Sequence, residues 1–373
     1  MLKRNIYEKR IELLKKKLSK DNDCILIFDE KNIYYLSGFY GKDSSSSLLI
    51  TEKKNYLIVN FIFYEDACDS VVSDNVEVVL SDKQNEKLFD IVKELNIKKV
   101  TIESSSISYN NFINLEKKLS GNGIIVKATE YPLSEFRIIK DEYEQNIIKM
   151  NCSITEKCLS FLIDKPLSGF LGLTEKELAI EMEGFLIRNG ASSKSFDFII
   201  ANKDSSSKPH YTAGNKKITE GILLMDFGII SNNYCSDITR TVFIKNTGIE
   251  DVPKKFLDIY KIVKEAQEKA ICYCREGIPA SDLDKVARNF INKHGYGDNF
   301  GHSLGHGIGL SVHEPPFINS ENNQILKESM IITIEPGIYI KDFGGVRIED
   351  MVIIKKTGCE RLYNDSKELV IID

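Results

Sequence analysis

Between Gly301 and Asp350 the chain reads GHSLGHGIGLSVHEPPFINSENNQILKESMIITIEPGIYIKDFGGVRIED, with Glu335 and Glu349 set inside runs that are otherwise strongly apolar. An ionised carboxylate buried without a partner costs roughly several kcal/mol, so IITIEPGIYI can enter an apolar interior only with a cation built in beside it. The same stretch holds three of the five histidines of the chain, His302, His306 and His313. That combination of acids and imidazoles points to a metal.

The pattern occurs once earlier, in ILLMDFGIISNNYCSDITRTVFI. Asp226 takes the place of Glu335, two residues before a glycine, and Asp237 follows it by 11 positions as Glu349 follows Glu335 by 14. Each copy reads as two strands and a turn. Side chains alternate along a strand, so Leu224, Asp226 and Gly228 share a face, as do Asp237, Thr239 and Thr241. Antiparallel pairing then brings the two carboxylates of each hairpin together, and two hairpins side by side converge four acids. Their mutual repulsion prevents all four from ionising unless cations sit between them. Such a set, with one or two histidines, is hard and oxygen-rich, suited to Mn²⁺, Co²⁺ or Fe²⁺ rather than to a thiolate-type zinc site. Two ions about 3.5 to 4 Å apart, bridged by carboxylates, can activate a water and hold the oxyanion formed at a carbonyl. One such acid alone would read as a salt-bridged strand residue; two matching hairpins beside a histidine-rich segment do not.

At 373 residues the chain is long enough for two domains and a large core. A net charge of −5 gives no electrostatic reason to expect nucleic acid or an anionic membrane as a partner. No apolar run reaches the roughly 18 residues of a membrane span, and MLKRNIYEKR leads into charged sequence, so a cytoplasmic protein is expected. The eight cysteines are scattered without a CxxC pair and read as reduced, buried thiols.

Residues 6 to 18, with Ile6, Leu14 and Leu18 among lysines, read as an opening helix. Strand-like runs follow at 24–28, 47–50, 56–63, 76–80, 99–103 and 124–128, with helical patterns at 87–95 and 109–119. The serines at 44–47 and 104–106 read as loops. This alternation predicts an α/β N-terminal domain with a mixed sheet over residues 1–131, closed at Tyr131-Pro132. Residues 132–373 then read as helix (139–163), helix (opened by the Thr174–Glu177 capping box and stopped at Gly190) and acidic hairpin, followed by helix (254–274), helix (281–294) and acidic hairpin. The last helix is expected to open at Ser281 with Asp284. The economical architecture for this internal repeat is α+β, an antiparallel sheet with helices on one face and the acids on the other.

The histidines divide by context. His294 sits at a helix end beside Gly295 and reads as structural. His302 and His306 flank SLG in a glycine-rich segment, where one suits a ligand and the other a substrate-facing group. His313 lies in a stiff stretch before Glu314 and two prolines, and His210 ends the loop SSSKPHY.

Taken together, DFG with SDITRT, GHSLGHGIGLSVHEPP, TIEPGIY and GGVRIED resemble the Xaa-Pro peptidases of the metallopeptidase family that contains aminopeptidase P, prolidase and methionine aminopeptidase. The resemblance implies the pita-bread fold for the catalytic domain and a creatinase-like N-terminal domain. It implies two divalent ions, Mn²⁺ foremost with Co²⁺, Fe²⁺ or Zn²⁺ as alternatives. Asp226 would serve one ion, His306 and Glu335 the other, and Asp237 and Glu349 would bridge. Glu335 resembles the residue that orients or deprotonates the attacking water. His210, His302 and His313 match substrate-facing histidines, His210 and His313 with a catalytic part. Arg347 matches the arginine supporting Glu349 and the substrate pocket. The leading expectation is an Xaa-Pro aminopeptidase acting on proline-containing peptides as a homodimer. An Xaa-Pro dipeptidase is the nearest alternative; a methionine aminopeptidase or a non-enzymatic peptide-binding relative stands further off.

Overall fold

The computed structural model describes residues 2–16, 23–81, 84–129, 133–245 and 252–373. Leu18 and the Tyr131-Pro132 boundary lie outside these residues. The chain divides into two compact units, Met1–Ser134 and Glu135–Asp373. No helix among the described residues is long and apolar enough to cross a membrane.

The first unit is built on a six-stranded mixed sheet in the order Val76–Leu80, Asn55–Val59, Ser47–Ile50, Asp23–Ile27, Lys99–Glu103, Ile125–Thr129. Its apolar strand residues, among them Leu26, Leu49, Ile58, Val100 and Ile102, pack with Leu88, Val92, Leu115 and Leu119 from the helices Gln84–Glu94 and Tyr109–Ser120. The strand expected over 56–63 ends at Val59. Asn60 accepts a hydrogen bond from the Ile62 N–H (3.0 Å) and opens a short 3₁₀ turn, Phe61–Phe63, leading into the helix Tyr64–Ser70. The apolar run misled because Phe61 and Ile62 are exposed rather than part of a buried strand. The expected loop at 104–106 is likewise a 3₁₀ turn. A helix the sequence reading omitted, Glu30–Ser37, is capped by Asp29, which accepts from the Asn32 N–H (2.8 Å), and ends at Gly38 with φ 86°.

In the second unit the helices Glu142–Ile163 and Glu175–Arg188 each open on a capping box, Asp141 with Glu144 and Thr174 with Glu177. The later pair, Lys254–Tyr273 and Ala280–Lys293, packs Phe256, Ile259, Val263, Leu283, Ala287 and Ile291 against Ile332, Ile334, Val346 and Val352 of the second acidic repeat. The last helix begins at Ala280 behind Pro279, with no side-chain cap. Asp284 is instead buried against Arg288 (2.7 Å) and the Leu304 N–H (3.2 Å).

The acidic repeats are not two plain hairpins on one face of one sheet. Their strands fall into three-, four-, five- and two-stranded sheets, and three of the acids, Asp237, Glu335 and Glu349, sit where the ladders break, whereas Asp226 is paired within its sheet. Gly221–Phe227 pairs with Ile238–Ile244, placing Asp226 opposite Thr239, while 229–235 folds out as a small hairpin and leaves Asp237 just ahead of the second strand. In the second repeat Ile331–Ile334 pairs with Asp350–Lys355, and Gly337–Ile340 with Gly344–Arg347. Glu335 and Glu349 face each other across the gap, where Pro336 has no N–H to continue the ladder. The repeats meet through the Glu349 N–H, which donates to the Thr239 carbonyl (3.1 Å), and the Thr241 hydroxyl, which donates to the Arg347 carbonyl (3.0 Å). All eight cysteines are free thiols; Cys68 and Cys272 are exposed, against the expectation that the thiols are buried.

Gly228 is where the first repeat folds tightest: a Cβ there would lie 1.9 Å from the Ser236 carbonyl oxygen. Gly228→Ala should destabilise the second unit by about 1–3 kcal/mol, because backbone rather than a flexible side chain must move. Urea unfolding measures this, and an unchanged midpoint would mean that the turn yields freely.

Candidate metal centre

His306 lies in the short strand Gly305–Gly307, and its N–H donates to the Thr333 hydroxyl (3.0 Å). A Cβ at Gly305 would lie 2.0 Å from the Thr333 carbonyl oxygen, so only glycine lets the two strands approach this closely. The imidazole donates Nδ1–H to the Gly307 carbonyl (3.1 Å). That leaves the Nε2 lone pair 3.4 Å from Glu335 Oε1 and 3.8 Å from Asp237 Oδ2. Burial, with the neighbouring His313 adding to it, lowers the His306 pKa to about 3, so the ring is neutral and a poor cationic partner for those acids. A neutral imidazole oriented through its other nitrogen is the form that binds metal.

The carboxylates are arranged in the same manner. Glu349 accepts from the Thr239 hydroxyl (2.7 Å) through one oxygen, and Asp226 accepts from Arg347 through one oxygen. The other oxygens, Glu349 Oε1 and Asp226 Oδ1, together with Asp237 Oδ1, are buried without a hydrogen-bond partner. Asp237, His306 and Glu349 offer ligand atoms that all lie within 4.8 Å of one another. Asp237 and Glu349, presenting orphaned oxygens close to the imidazole lone pair of His306, fit a divalent cation, and Asp226 with its orphaned Oδ1 lines the same cleft.

Electrostatics agree with this. Burial, then the charges of Glu349, Asp226 and Glu335, holds Asp237 well above the usual carboxylate range. Glu349 is raised by burial and then by Glu335 and Asp226. Burial pushes Glu335 up to about 8, with Arg347 opposing and Asp226 adding. The Thr333 hydroxyl donates to Glu335 Oε1 (3.3 Å).

All nine residues singled out from the sequence line one cleft of about 400 Å³. His210 and His313 are exposed to it, and the His313 ring stands 4.3 Å from that of His306, nearly perpendicular. His302 is engaged on both nitrogens. Its Nδ1–H donates to the Ser303 carbonyl (2.8 Å), and its Nε2 accepts from the Tyr339 hydroxyl (3.0 Å), which in turn accepts from Arg347 Nη1 (2.7 Å). Burial first, then the Arg347 charge, lowers its pKa to about 4. His294 stays outside the cleft, bonded to the Phe290 carbonyl (2.9 Å). The sequence reading missed Tyr339, whose signal was its place two residues past Gly337 in the acid-bearing hairpin. It also missed the apolar lining residues Phe196 and Phe317.

Comparison with known proteins agrees along most of the chain. Metallopeptidase family M24 matches residues 146–356, and the creatinase/prolidase N-terminal domain matches residues 10–139. The Xaa-Pro dipeptidase of Pyrococcus horikoshii is 37% identical over 351 residues, covering 93% of this chain and 94% of its own. Among solved structures, the Xaa-Pro dipeptidase from Bacillus anthracis superposes with TM-score 0.90 at 32% identity, covering 98% of this chain and 99% of its own. The X-Pro aminopeptidase from Thermotoga maritima does so with TM-score 0.87 at 33% identity and the same coverage.

Acids whose folded pKa lies above the unfolded value bind more protons in the folded state, so stability falls as pH rises between the two values. Stripped of divalent cations, the protein should therefore lose thermal stability between the ordinary carboxylate range, about pH 4, and about pH 8, and regain it on adding Mn²⁺. Calorimetry over that range checks this; a metal-free melting temperature that climbs towards pH 8 would contradict it.

Proposed function

The chain belongs to metallopeptidase family M24, and on that footing we propose that this peptide hydrolase acts as an Xaa-Pro dipeptidase. The observation that carries the reading is the set of buried, orphaned carboxylate oxygens on Asp226, Asp237 and Glu349 beside His306 Nε2. The dipeptidase takes precedence over the aminopeptidase expected from the sequence, because a relative 37% identical over nearly its full length is named Xaa-Pro dipeptidase. The aminopeptidase remains the second reading, favoured by the Thermotoga maritima structure.

In this proposal Asp226, Asp237, His306, Glu335 and Glu349 would hold two divalent ions, with Mn²⁺ the expected metal. Bound there, the ions would supply Lewis acidity to the attacked carbonyl and to the attacking water. Glu335 takes a proton from the attacking water and delivers it to the departing proline nitrogen. The scissile Xaa-Pro amide has no N–H, so the bond is selected by the shape of the cleft and by donors around the carbonyl oxygen. His313 and His210, open to the cleft, are those donors. His302, with both nitrogens engaged, acts through Tyr339 and Arg347 to hold the orientation of Asp226. We assign this chemistry to residues 132–373, and to residues 1–131 the main contacts of a homodimer, with the cytosol as the place of action.

Purified protein with Mn²⁺ should hydrolyse an Xaa-Pro dipeptide well ahead of an Xaa-Pro-Xaa tripeptide and of Xaa-Ala. Preference for the tripeptide would establish the aminopeptidase, and equal cleavage of Xaa-Ala would reject the substrate class. His313→Ala should lower kcat by on the order of 10²-fold with metal content intact, as for a lost oxyanion donor. His306→Ala should instead lose occupancy of one ion. Metal stoichiometry measured beside kcat distinguishes them, and metal loss in His313→Ala would invert the assignment.

A further inference from the structure

Directly after His313 comes Glu314, a carboxylate whose surroundings differ from those of the metal-facing acids. It is buried, and both of its oxygens are occupied: Oε1 by Lys140 Nζ (2.8 Å) and Oε2 by Arg137 Nη2 (2.6 Å). Lys140 is almost wholly buried, and Arg137 nearly so. Burial would raise the Glu314 pKa, but the charges of Lys140 and Arg137 together hold it below its ordinary value.

The segment that brings these cations is fixed independently of Glu314. The Lys140 N–H donates to the Ser329 carbonyl (2.9 Å), and Ile139 bridges to Met330 at the entry to the strand Ile331–Ile334, which leads to Glu335. The Lys140 carbonyl accepts from Gln145 Nε2 (2.8 Å) in the helix Glu142–Ile163.

The loop before His313 closes around the same carboxylate. The Ser311 N–H donates to Glu314 Oε2 (3.4 Å), and Arg137 also donates to the Ser311 hydroxyl (3.2 Å). A Cβ at Gly309 would lie 2.5 Å from Glu314 Oε1 and 3.1 Å from Lys140 Cε, so the loop backbone is packed onto the ion cluster itself. The Gly309 carbonyl accepts from the Cys235 N–H (2.8 Å), two residues before Asp237. His313 is the residue left open to the cleft at the end of this loop, against the ring of His306.

We propose that the Arg137–Glu314–Lys140 cluster is a positioning device for His313, holding the His313 ring at the attacked carbonyl. It rests on the peptidase reading for the role of His313, but not for its position. The cations come from about 175 residues away in the sequence, and nothing in them touches the cleft. They act through Glu314 and the loop backbone. An exposed imidazole on an untethered loop would sample many orientations, whereas a donor to a developing oxyanion must be in place before the reaction. A buried ion cluster with both carboxylate oxygens engaged supplies that constraint, because moving the loop would strip Glu314 of its partners.

The test uses Lys140→Met, Lys140→Arg and Glu314→Gln in the full chain, with Mn²⁺ for kinetics and with diamagnetic Zn²⁺ in its place for spectroscopy. With five histidines in the protein, ring resonances of the Zn²⁺-loaded form can be assigned by single substitutions and followed by NMR without substrate. Lys140→Met and Glu314→Gln should shift and broaden the His313 resonances, leave those of His210 and His294 in place, and lower kcat on an Xaa-Pro peptide about tenfold. Metal stoichiometry and KM should change little, and Lys140→Arg should restore both the resonance and kcat. If Glu314→Gln fails to fold, the two Lys140 variants decide. His313 resonances that do not move in folded variants overturn the proposal, as does movement without loss of kcat. If the parent protein cleaves no Xaa-Pro peptide, the dipeptidase reading fails separately, and the resonance arm alone judges the positioning.

Discussion

Three buried acids, Asp226, Asp237 and Glu349, and the partly buried Glu335 face one fixed cation among the described residues, Arg347, which is bonded to only one of them. His306 cannot compensate, because its pKa is pushed down to about 3. The surplus of negative charge at the centre of a well-packed unit is the constraint on which the rest depends. An apolar interior with this deficit is stable at neutral pH only if some acids stay protonated or divalent cations enter.

The backbone around the centre is consistent with that demand. Strand ladders break at Glu335 and Glu349, and Asp237 stands just ahead of its strand, so these acids are freed from regular pairing. Thr239 ties the repeats together twice, accepting from the Glu349 N–H through its carbonyl and donating to Glu349 through its hydroxyl. The repeats are related but not equivalent. Glu335 and Glu349 oppose each other across one gap, whereas Asp226 pairs with Thr239 and Asp237 is displaced by a small hairpin. Such inequality suits a site that must both hold cations and leave a side open to a substrate.

Much of this was legible because charge inside apolar sequence is rare and costly. The four acids stood out for that reason, and the repeat of carboxylate, glycine and second carboxylate gave their grouping. The choice between His302 and His306 was not legible from the residues, and only the family resemblance decided it. In three dimensions the difference is one of hydrogen bonding: Tyr339 occupies His302 Nε2, and no hydrogen-bond donor among the described residues occupies His306 Nε2. The capping box at Thr174 could be read because its partners lie within one turn, whereas the Glu314 cluster could not, its cations being remote in sequence. The helix Glu30–Ser37 escaped notice because it is short and several of its buried residues are polar, with Asn32 bonded to Glu103 (2.8 Å). The run 56–63 misled in the opposite direction, since an apolar stretch need not be buried.

The central claim is that these acids share protons in the absence of metal and give them up to it. Calorimetric titration of the metal-free protein with Mn²⁺ at pH 7, repeated in buffers of different ionisation enthalpy, counts the protons released per ion bound. The account predicts tight binding accompanied by net proton release, and loss of both in Glu349→Gln. Binding without proton release, or binding that survives Glu349→Gln unchanged, would contradict it.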